Sequence, residues 1–401
     1  MMRLKDIVDV NVLSLSNDTS PNFEFKYIDI SNVNQFGITQ EPEYIVFNEA
    51  PSRARRLIRK NDVIVSTVRT YLKAIAFIDF EPKDYVVSTG FAVLQPKKNI
   101  FPKYLGYYCQ SEYFIDKVVS NSKGVSYPAI NAGEIVQLPI INLPLSEQQA
   151  IANYLDAKTQ AIDKKVTLLE QKIETYKKLK RTLINQAITR GLDKNLPLKD
   201  SGISWIGQIP QHWEVKRFKS FADTIKGKNL EVFDNQIEGT LPNLSLEYLR
   251  NDSVGFEAFV KTNNRNLIVD ENDLIIVWDG AGVGEILNGK VGVISSTIAK
   301  LKFNKSVNAK FFSFIRYDLE YRLKQIPTGM GIPHLNPHEL KNFMCPIPPK
   351  SEQEEIAKYL DHKTSTIDAI VGNIGKQIDT LKQLRKTLIN DVVTGKIKVL
   401  A

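Results

Sequence analysis

The chain has 401 residues, 43% hydrophobic and 24% charged, which fits a folded protein with two or more cored domains and excludes a disordered chain. No apolar run reaches membrane-spanning length, and Met1-Met2-Arg3-Leu4-Lys5-Asp6 leads into no signal-type core, so a cytoplasmic location is expected. Cys109 and Cys345 are too few for a disulfide framework. The net charge of +8 spreads as +1, +4, +1 and +2 over residues 1–145, 146–191, 192–346 and 347–401, so any electrostatic footprint must be a local patch.

Residues 1–145 carry short strand-like runs between turn residues: Asp62 to Val68, Ala74 to Ile78 and Tyr85 to Val87 are β-branched or aromatic. Phe101 to Tyr108 and beyond reads as a helix with Pro102 near its start, so an α+β domain is expected. Ahead of the first strong strand lies the densest basic cluster of the chain, Arg53, Arg55, Arg56, Arg59 and Lys60. Its ordinary reading is a solvated segment, but in a chain of nearly balanced charge it also suits phosphate. Arg69, Thr70 and Tyr71 follow at a strand-to-strand turn, where a donor fork and an aromatic ring could reach base edges.

Ser146 to Thr189 then returns without a gap as Ser351 to Thr394, an offset of 205 with about half the positions identical. Apolar residues recur four and three apart: Ile162, Val166, Leu169, Ile173, Tyr176, then Lys180, Leu183 and Ala187. The second copy keeps the register with Ile367, Val371, Ile374, Ile378, Leu381, then Arg385, Leu388 and Val392. Such spacing lays a narrow stripe along a helix, the seam a partner helix covers. A single stripe reads most simply as an amphipathic helix on a core. Two matched runs of about 60 Å, each interrupted by a cation at the same seam position, instead suggest two long helices packed antiparallel as a spacer. Each opens with Ser-Glu-Gln after a proline-punctuated strand end, a helix-start signal.

Gly191 to Gly202 is a breaker-rich linker, and beyond it the first plan repeats. Asn272 to Val277 answers Asn61 to Val65, Val293 to Thr297 answers Tyr85 to Thr89, and Gly329-Met330-Gly331-Ile332-Pro333-His334 answers Gly124 to Ala129, again 205 apart. The expected fold class is α+β: two globular α/β-mixed domains separated by two long helices packed as an antiparallel coiled coil, with an internal pseudo-twofold repeat. The expected boundaries are 1–145, 146–191, 192–346 and 347–401.

Asp279-Gly280-Ala281-Gly282-Val283-Gly284 lacks the G-x-G-x-x-G spacing, and Ile286 to Val293 reads as a strand pair, so a glycine-rich hairpin is expected and no nucleotide site. His334 and His338 are four apart with Pro337 between them, so a helix presenting both rings to a metal is not expected. No phosphate loop, nucleophile elbow or acid-base pair stands out, so neither a catalytic residue nor a metal site is assigned.

The repeated Ser-Glu-Gln openings, Ile-Ala-x-Tyr-Leu-Asp (Ile151 to Asp156, Ile356 to Asp361), Lys-Thr followed by Ile-Asp (Lys158 to Asp163, Lys363 to Asp368) and Thr-Leu-Ile-Asn (Thr182 to Asn185, Thr387 to Asn390) carry a resemblance. With the linker and Ile209-Pro210-Gln211-His212-Trp213, they make the chain closely similar, end to end, to the DNA-specificity subunit of type I restriction-modification systems. The first domain lacks a counterpart to Ile209 to Trp213. The resemblance implies two target recognition domains, each reading half of a split double-stranded DNA site, and helices that act as a ruler. It also implies docking of two adenine methyltransferase subunits, which carry the S-adenosylmethionine, with restriction/translocase subunits able to join. No cofactor is then expected in this chain, and no enzymatic activity of its own.

By analogy between the duplicated positions, the expected DNA contacts in the first domain are Arg53, Arg55, Arg56, Arg59, Lys60, Arg69, Tyr71, Lys123 and Tyr127. In the second they are Lys226, Lys228, Lys261, Asn263, Asn264, Arg265 and His334. Ile151, Tyr154, Leu155, Ile356, Tyr359 and Leu360 are the expected partner-docking residues, with intramolecular packing as the plainer account. Two other classes compete. A stand-alone DNA-modifying or cleaving enzyme predicts turnover by the chain alone, and a purely structural coiled-coil linker predicts no DNA retention at any salt.

Overall fold

The computed structural model describes residues 2–141, 143–251, 253–256, 258–329 and 331–399; Met330 of the second duplicated loop lies outside them. Two compact units emerge, one made of residues up to Lys172 together with those from Ile374 on, the other of Ile173–Asn373. Each unit is a head plus part of both long helices. The units therefore cut across a division into heads and helices, because the helix stripes are covered inside each unit.

In the first unit an antiparallel sheet runs in the order Val8–Val10, Phe91–Pro96, Val63–Ser66, Ile75–Phe77. The apolar run Val63-Ile64-Val65 is fully buried, as a central strand covered on both faces must be. A second sheet has the order Tyr44–Val46, Glu24–Ile28, Tyr85–Ser88, Ala54–Leu57, and its one parallel pairing joins Glu24–Ile28 to Tyr85–Ser88. Pro102 opens the helix Pro102–Gln110, and Ser111 caps Glu112–Ser120 through the Phe114 amide. Tyr104, Tyr108 and Phe114 from these helices fill the core.

The second unit repeats this plan. Its first sheet runs Ala222–Lys226, Ile298–Phe303, Leu274–Val277, Ile286–Asn288; its second runs Val232–Phe233, Phe259–Lys261, Thr240–Leu244, Gly292–Ile294, Ile268–Val269, again with one parallel pairing in the equivalent place. The equivalences read from sequence hold, since Leu274–Val277 and Gly292–Ile294 take the places of Val63–Ser66 and Tyr85–Ser88. The two runs after the glycine-rich segment are both strands, but they join different sheets instead of pairing with each other. At Gly289 between them a Cβ would come 2.1 Å from the Asp270 carbonyl oxygen, so only glycine lets the chain turn there.

The long helices are Leu145–Arg190 and Lys350–Val393. Both begin just before the Ser-Glu-Gln signal, so its serines sit in the first turn and are not caps. Along the middle of each helix the seam positions named from sequence are protected while most residues between them are exposed; in the second helix Ile370 and Gly375 are also partly covered. Within the first unit Arg385 pairs with Asp163 (3.0 Å) and Lys382 with Glu170 (3.7 Å), an antiparallel register; within the second, Lys180 pairs with Asp368 (2.7 Å). Asp163 and Asp368 are themselves 205 apart, so each copy's seam cation meets the other copy's aspartate.

These two ion pairs differ in strength. The Arg385 side chain is 10% exposed and lies over the Phe36 ring (5.1 Å), whereas that of Lys180 is 28% exposed. We expect Arg385→Ala to cost about 2 kcal/mol through lost packing and cation-π contact, and Lys180→Ala less than about 1 kcal/mol. In melts at rising salt the Lys180→Ala penalty should shrink toward zero while most of the Arg385→Ala penalty stays; equal sensitivity to salt would contradict this reading.

The glutamine of Ser-Glu-Gln brackets head to helix in both units. Gln148 accepts from the Phe101 amide (2.7 Å) and donates to the Leu143 carbonyl (2.8 Å); Gln353 accepts from the Asn308 amide (2.8 Å) and donates to the Pro348 and Ser306 carbonyls. The glutamate is used in one unit only: Glu352 receives Trp213 Nε1 (3.0 Å) and pairs with His212 Nε2 (2.8 Å), while Glu147, also half-buried, has no side-chain hydrogen bond or ion pair among the described residues. Cys109 and Cys345 are free and fully buried, and burial pushes both thiols up. They pack as small apolar groups.

Candidate nucleic-acid interface

At one corner of the first head two loops are stapled together. The turn after Val63–Ser66 closes with the Leu72 amide donating to the Arg69 carbonyl (2.8 Å), and the Ile130 amide donates to the Thr67 carbonyl (2.9 Å). The loop 123–129 is closed by reciprocal bonds between Lys123 and Ala129 (2.8 and 2.9 Å), with Gly124 at φ +105°. Thr70 Oγ1 meets Ser122 Oγ at 2.9 Å. The result is an exposed group of four sequence-chosen residues: Arg69 with its guanidinium over the Tyr127 ring (5.1 Å), Tyr71, and Lys123, which pairs with Glu134 (3.1 Å). Val125, at the loop tip, is fully exposed.

The second head builds the same corner from different side chains. The Val283 amide donates to the Gly280 carbonyl (3.0 Å), the Leu335 amide to the Trp278 carbonyl (2.8 Å), and Thr328 and His334 exchange bonds of 2.9 and 2.7 Å. Here Asp279 binds Lys226 Nζ (2.9 Å) and His334 Nδ1 (2.6 Å), and Lys226 lies over Trp278 (5.7 Å). Burial pushes the Asp279 carboxyl up, but the bonds from Lys226 and His334 outweigh it and hold it below the usual carboxylate range. Lys228 is exposed beyond Gly227, whose Cβ would come 2.1 Å from the Ser295 carbonyl oxygen. His338 is apart from His334, exposed on the short helix Pro337–Asn342.

The two basic runs chosen from sequence fall at equivalent places. Ala54–Leu57 and Ile268–Val269 are the matching edge strands, entered from loops 47–53 and 262–267 that follow Tyr44–Val46 and Phe259–Lys261. Arg53 is exposed, and its carbonyl accepts from Thr89 (2.8 Å); Thr67 in turn donates to Gly90 (2.8 Å), which joins this loop to the Arg69 corner. Arg55 and Arg56 are turned partly inward. Arg55 lies over the Phe47 ring (4.7 Å) and donates to the Ala54 carbonyl, while burial pushes the Arg56 guanidinium down and leaves its Nε without a partner among the described residues. Arg59 is exposed and Lys60 pairs with Glu81 (3.1 Å). In the second head Lys261, Asn263, Asn264 and Arg265 are all exposed, and Asn264 caps the Arg265–Leu267 turn, which lies against the Ala222–Lys226 strand. Among the described residues Arg53, Arg59, Arg69, Lys228, Lys261 and Arg265 have no acidic ion-pair partner. Such unpaired cations at repeated loop corners suit a polyanion.

The model of the type I restriction modification DNA specificity domain matches residues 1–175 and again 210–380. The chain belongs to that family. This specificity-domain chain is 40% identical over 189 residues to the MjaVIII specificity subunit of Methanocaldococcus jannaschii, a stretch covering 47% of the chain and 43% of that relative. A solved chain from work on complex assembly and conformational transition of the type I R-M system matches with a TM-score of 0.76 at 23% identity, covering 99% of this chain and 97% of that one. The HsdS subunit from Thermoanaerobacter tengcongensis matches with a TM-score of 0.55 at 23% identity over 99% and 96% of the two chains. Both likenesses report the fold.

In the specificity-domain chain the six residues chosen for docking separate into two groups. Ile151, Leu155, Ile356 and Leu360 are buried in the chain's own cores, because the first turns of each long helix seal the head above them. Tyr154 and Tyr359 stay partly exposed, each under a lysine one turn on, Lys158 (5.6 Å) and Lys363 (5.8 Å). Sequence reasoning missed Lys73, Asp279 and the bracketing glutamines. Aligning Arg69 and Lys73 with Gly280 and Gly284, both pairs four apart after equivalent strands, would have flagged Lys73. Among the described residues no group of three or more potential ligands could hold a metal ion, and no helix is long and apolar enough to cross a membrane.

Proposed function

We propose that this chain is the DNA sequence-specificity subunit of a type I restriction-modification complex, with each head reading one half of a bipartite double-stranded site. One observation carries the reading: two heads share one topology and mount on the same two long helices, yet present different side chains at equivalent corners. Arg69 and Tyr127 stand where the other head has Gly280 and Ile332. Shared scaffold with divergent tips is what two readers of different sequences require. The duplicated tyrosine-lysine pairs, Tyr154 with Lys158 and Tyr359 with Lys363, give two like surfaces for two copies of one methyltransferase subunit. That subunit supplies the S-adenosylmethionine and the catalytic groups, so this chain itself is noncatalytic; restriction/translocase subunits join the same assembly.

Coexpression with its methyltransferase should methylate adenines in a single bipartite sequence. Methyl transfer or cleavage by the purified chain alone, with S-adenosylmethionine or a divalent metal, would instead make it an enzyme. Inserting four helical residues into both long helices, after Lys172 and after Asn373, adds about 6 Å. The gap between half-sites should then grow by roughly two base pairs, each rising ~3.4 Å, with both halves unchanged. Altered halves at an unchanged gap would reject the ruler.

A further inference from the structure

We propose that Arg69 is the guanine-reading residue of the first head, and that Lys73 beside it holds a phosphate; this rests on the DNA-reading function above. The turns 66–74 and 277–285 are equal in length and close with the same two backbone bonds, though Lys73 donates to the Thr70 carbonyl (3.0 Å) where Gly284 donates to that of Val277 (2.9 Å). Ser66 donates to the Ala74 carbonyl (2.9 Å) as Val277 does to that of Glu285 (2.8 Å), and Leu72 donates to Arg69 as Val283 does to Gly280. Each turn needs two left-handed residues four apart. The second head meets the need with Gly280 (φ +97°) and Gly284 (φ +81°), whereas the first places Arg69 (φ +49°) and Lys73 (φ +55°) there.

Glycine occupies that region without penalty, while a residue with a Cβ is strained in it. The first head keeps two long cations at the two positions where its own duplicate shows that glycine serves the backbone. Local bonding does not account for Arg69, which makes no side-chain cap to the Thr70–Leu72 turn and has no acidic partner among the described residues. Its guanidinium lies over the ring of Tyr127, itself 68% exposed, and Thr70 ties the turn to the Tyr127 loop through Ser122. The donor fork is therefore held against a ring with its N–H edge unpaired. A planar fork held in this way matches the paired O6 and N7 acceptors of guanine in the major groove. Lys73 offers a point charge, which suits phosphate.

The test uses the chain assembled with its methyltransferase and duplexes carrying the mapped site, each guanine of the first half replaced in turn by 7-deazaguanine, which lacks N7. Arg69→Gly, the residue its duplicate uses, should melt at or above the parent temperature yet bind the site roughly 5- to 150-fold more weakly. One 7-deazaguanine position should weaken the parent several-fold and Arg69→Gly no further. Arg69→Lys should lose the same discrimination at an unchanged salt slope. Lys73→Gly should weaken all sequences alike and lower the salt slope by about 1. If Arg69→Gly loses affinity equally for matched and scrambled duplexes, or if every 7-deazaguanine adds to its loss, Arg69 touches only backbone and the proposal is overturned. Unchanged binding by Arg69→Gly, or a first half without guanine, overturns it as well. Should the parent complex itself show no preference for the mapped site, it is the DNA-reading function that fails.

Discussion

Gln353→Leu is expected to destabilise the second unit by about 3–5 kcal/mol, among the largest effects of any single substitution in the chain. The side chain is fully buried and makes three bonds, accepting from the Asn308 amide and donating to the Pro348 and Ser306 carbonyls. Leucine fills a similar volume but leaves those three backbone groups in a dry site, and each stranded polar group costs about 1–3 kcal/mol, less for a carbonyl than for an amide. Gln148→Leu should cost less, about 2–4 kcal/mol, because Gln148 makes two such bonds. Glu354→Ala, one residue along on the exposed side, should stay within about 0.5 kcal/mol. The measurement is the urea midpoint at constant m-value. Equal midpoints for Gln353→Leu and Glu354→Ala would show that the bracket does not hold the head.

Replacing Lys228, Lys261 and Arg265 together with glutamine should flatten the salt dependence of DNA binding. Each phosphate neutralised contributes about 0.9 to the slope of log affinity against log salt, so three contribute about 2.7. Between 50 and 200 mM salt the parent complex should thus lose roughly 40-fold more affinity than the triple variant. All three cations are exposed and lack acidic partners among the described residues, so the fold should tolerate the change. Lys226 is the internal comparison, because Asp279 already neutralises it; Lys226→Gln should change the slope little. A triple variant with the parent's slope would remove these residues from the interface.

The pattern of long elements was legible in the sequence because it rests on local periodicity. The stripe from Ile162 to Ala187 and its copy from Ile367 to Val392 give the protected seam position by position. The offset of 205 likewise marked the loops at Gly124 and Gly329, since a left-handed glycine at the head of a closed loop leaves a trace in sequence. Charge run together in sequence was a poorer guide. Of the basic cluster, Arg53 and Arg59 are open, but the adjacent Arg55 and Arg56 both turn partly inward, because the pairing of their strand shifts register between Ala54 and Arg56, and Arg55 packs on the Phe47 ring.

By itself, then, the sequence determined the duplicated plan, the two long helices and their seam, since each follows from spacing along one chain. Tertiary structure alone decided which groups meet. It sent Ile151, Leu155, Ile356 and Leu360 into the cores, tied Asp279 to Lys226 and His334 from three separate segments, and set Arg69 on Tyr127 in a turn where the other head has glycine. Those pairings join residues about 50 to 60 positions apart, and only the packing of sheets against helices brings such distant groups within hydrogen-bond or ring-contact range.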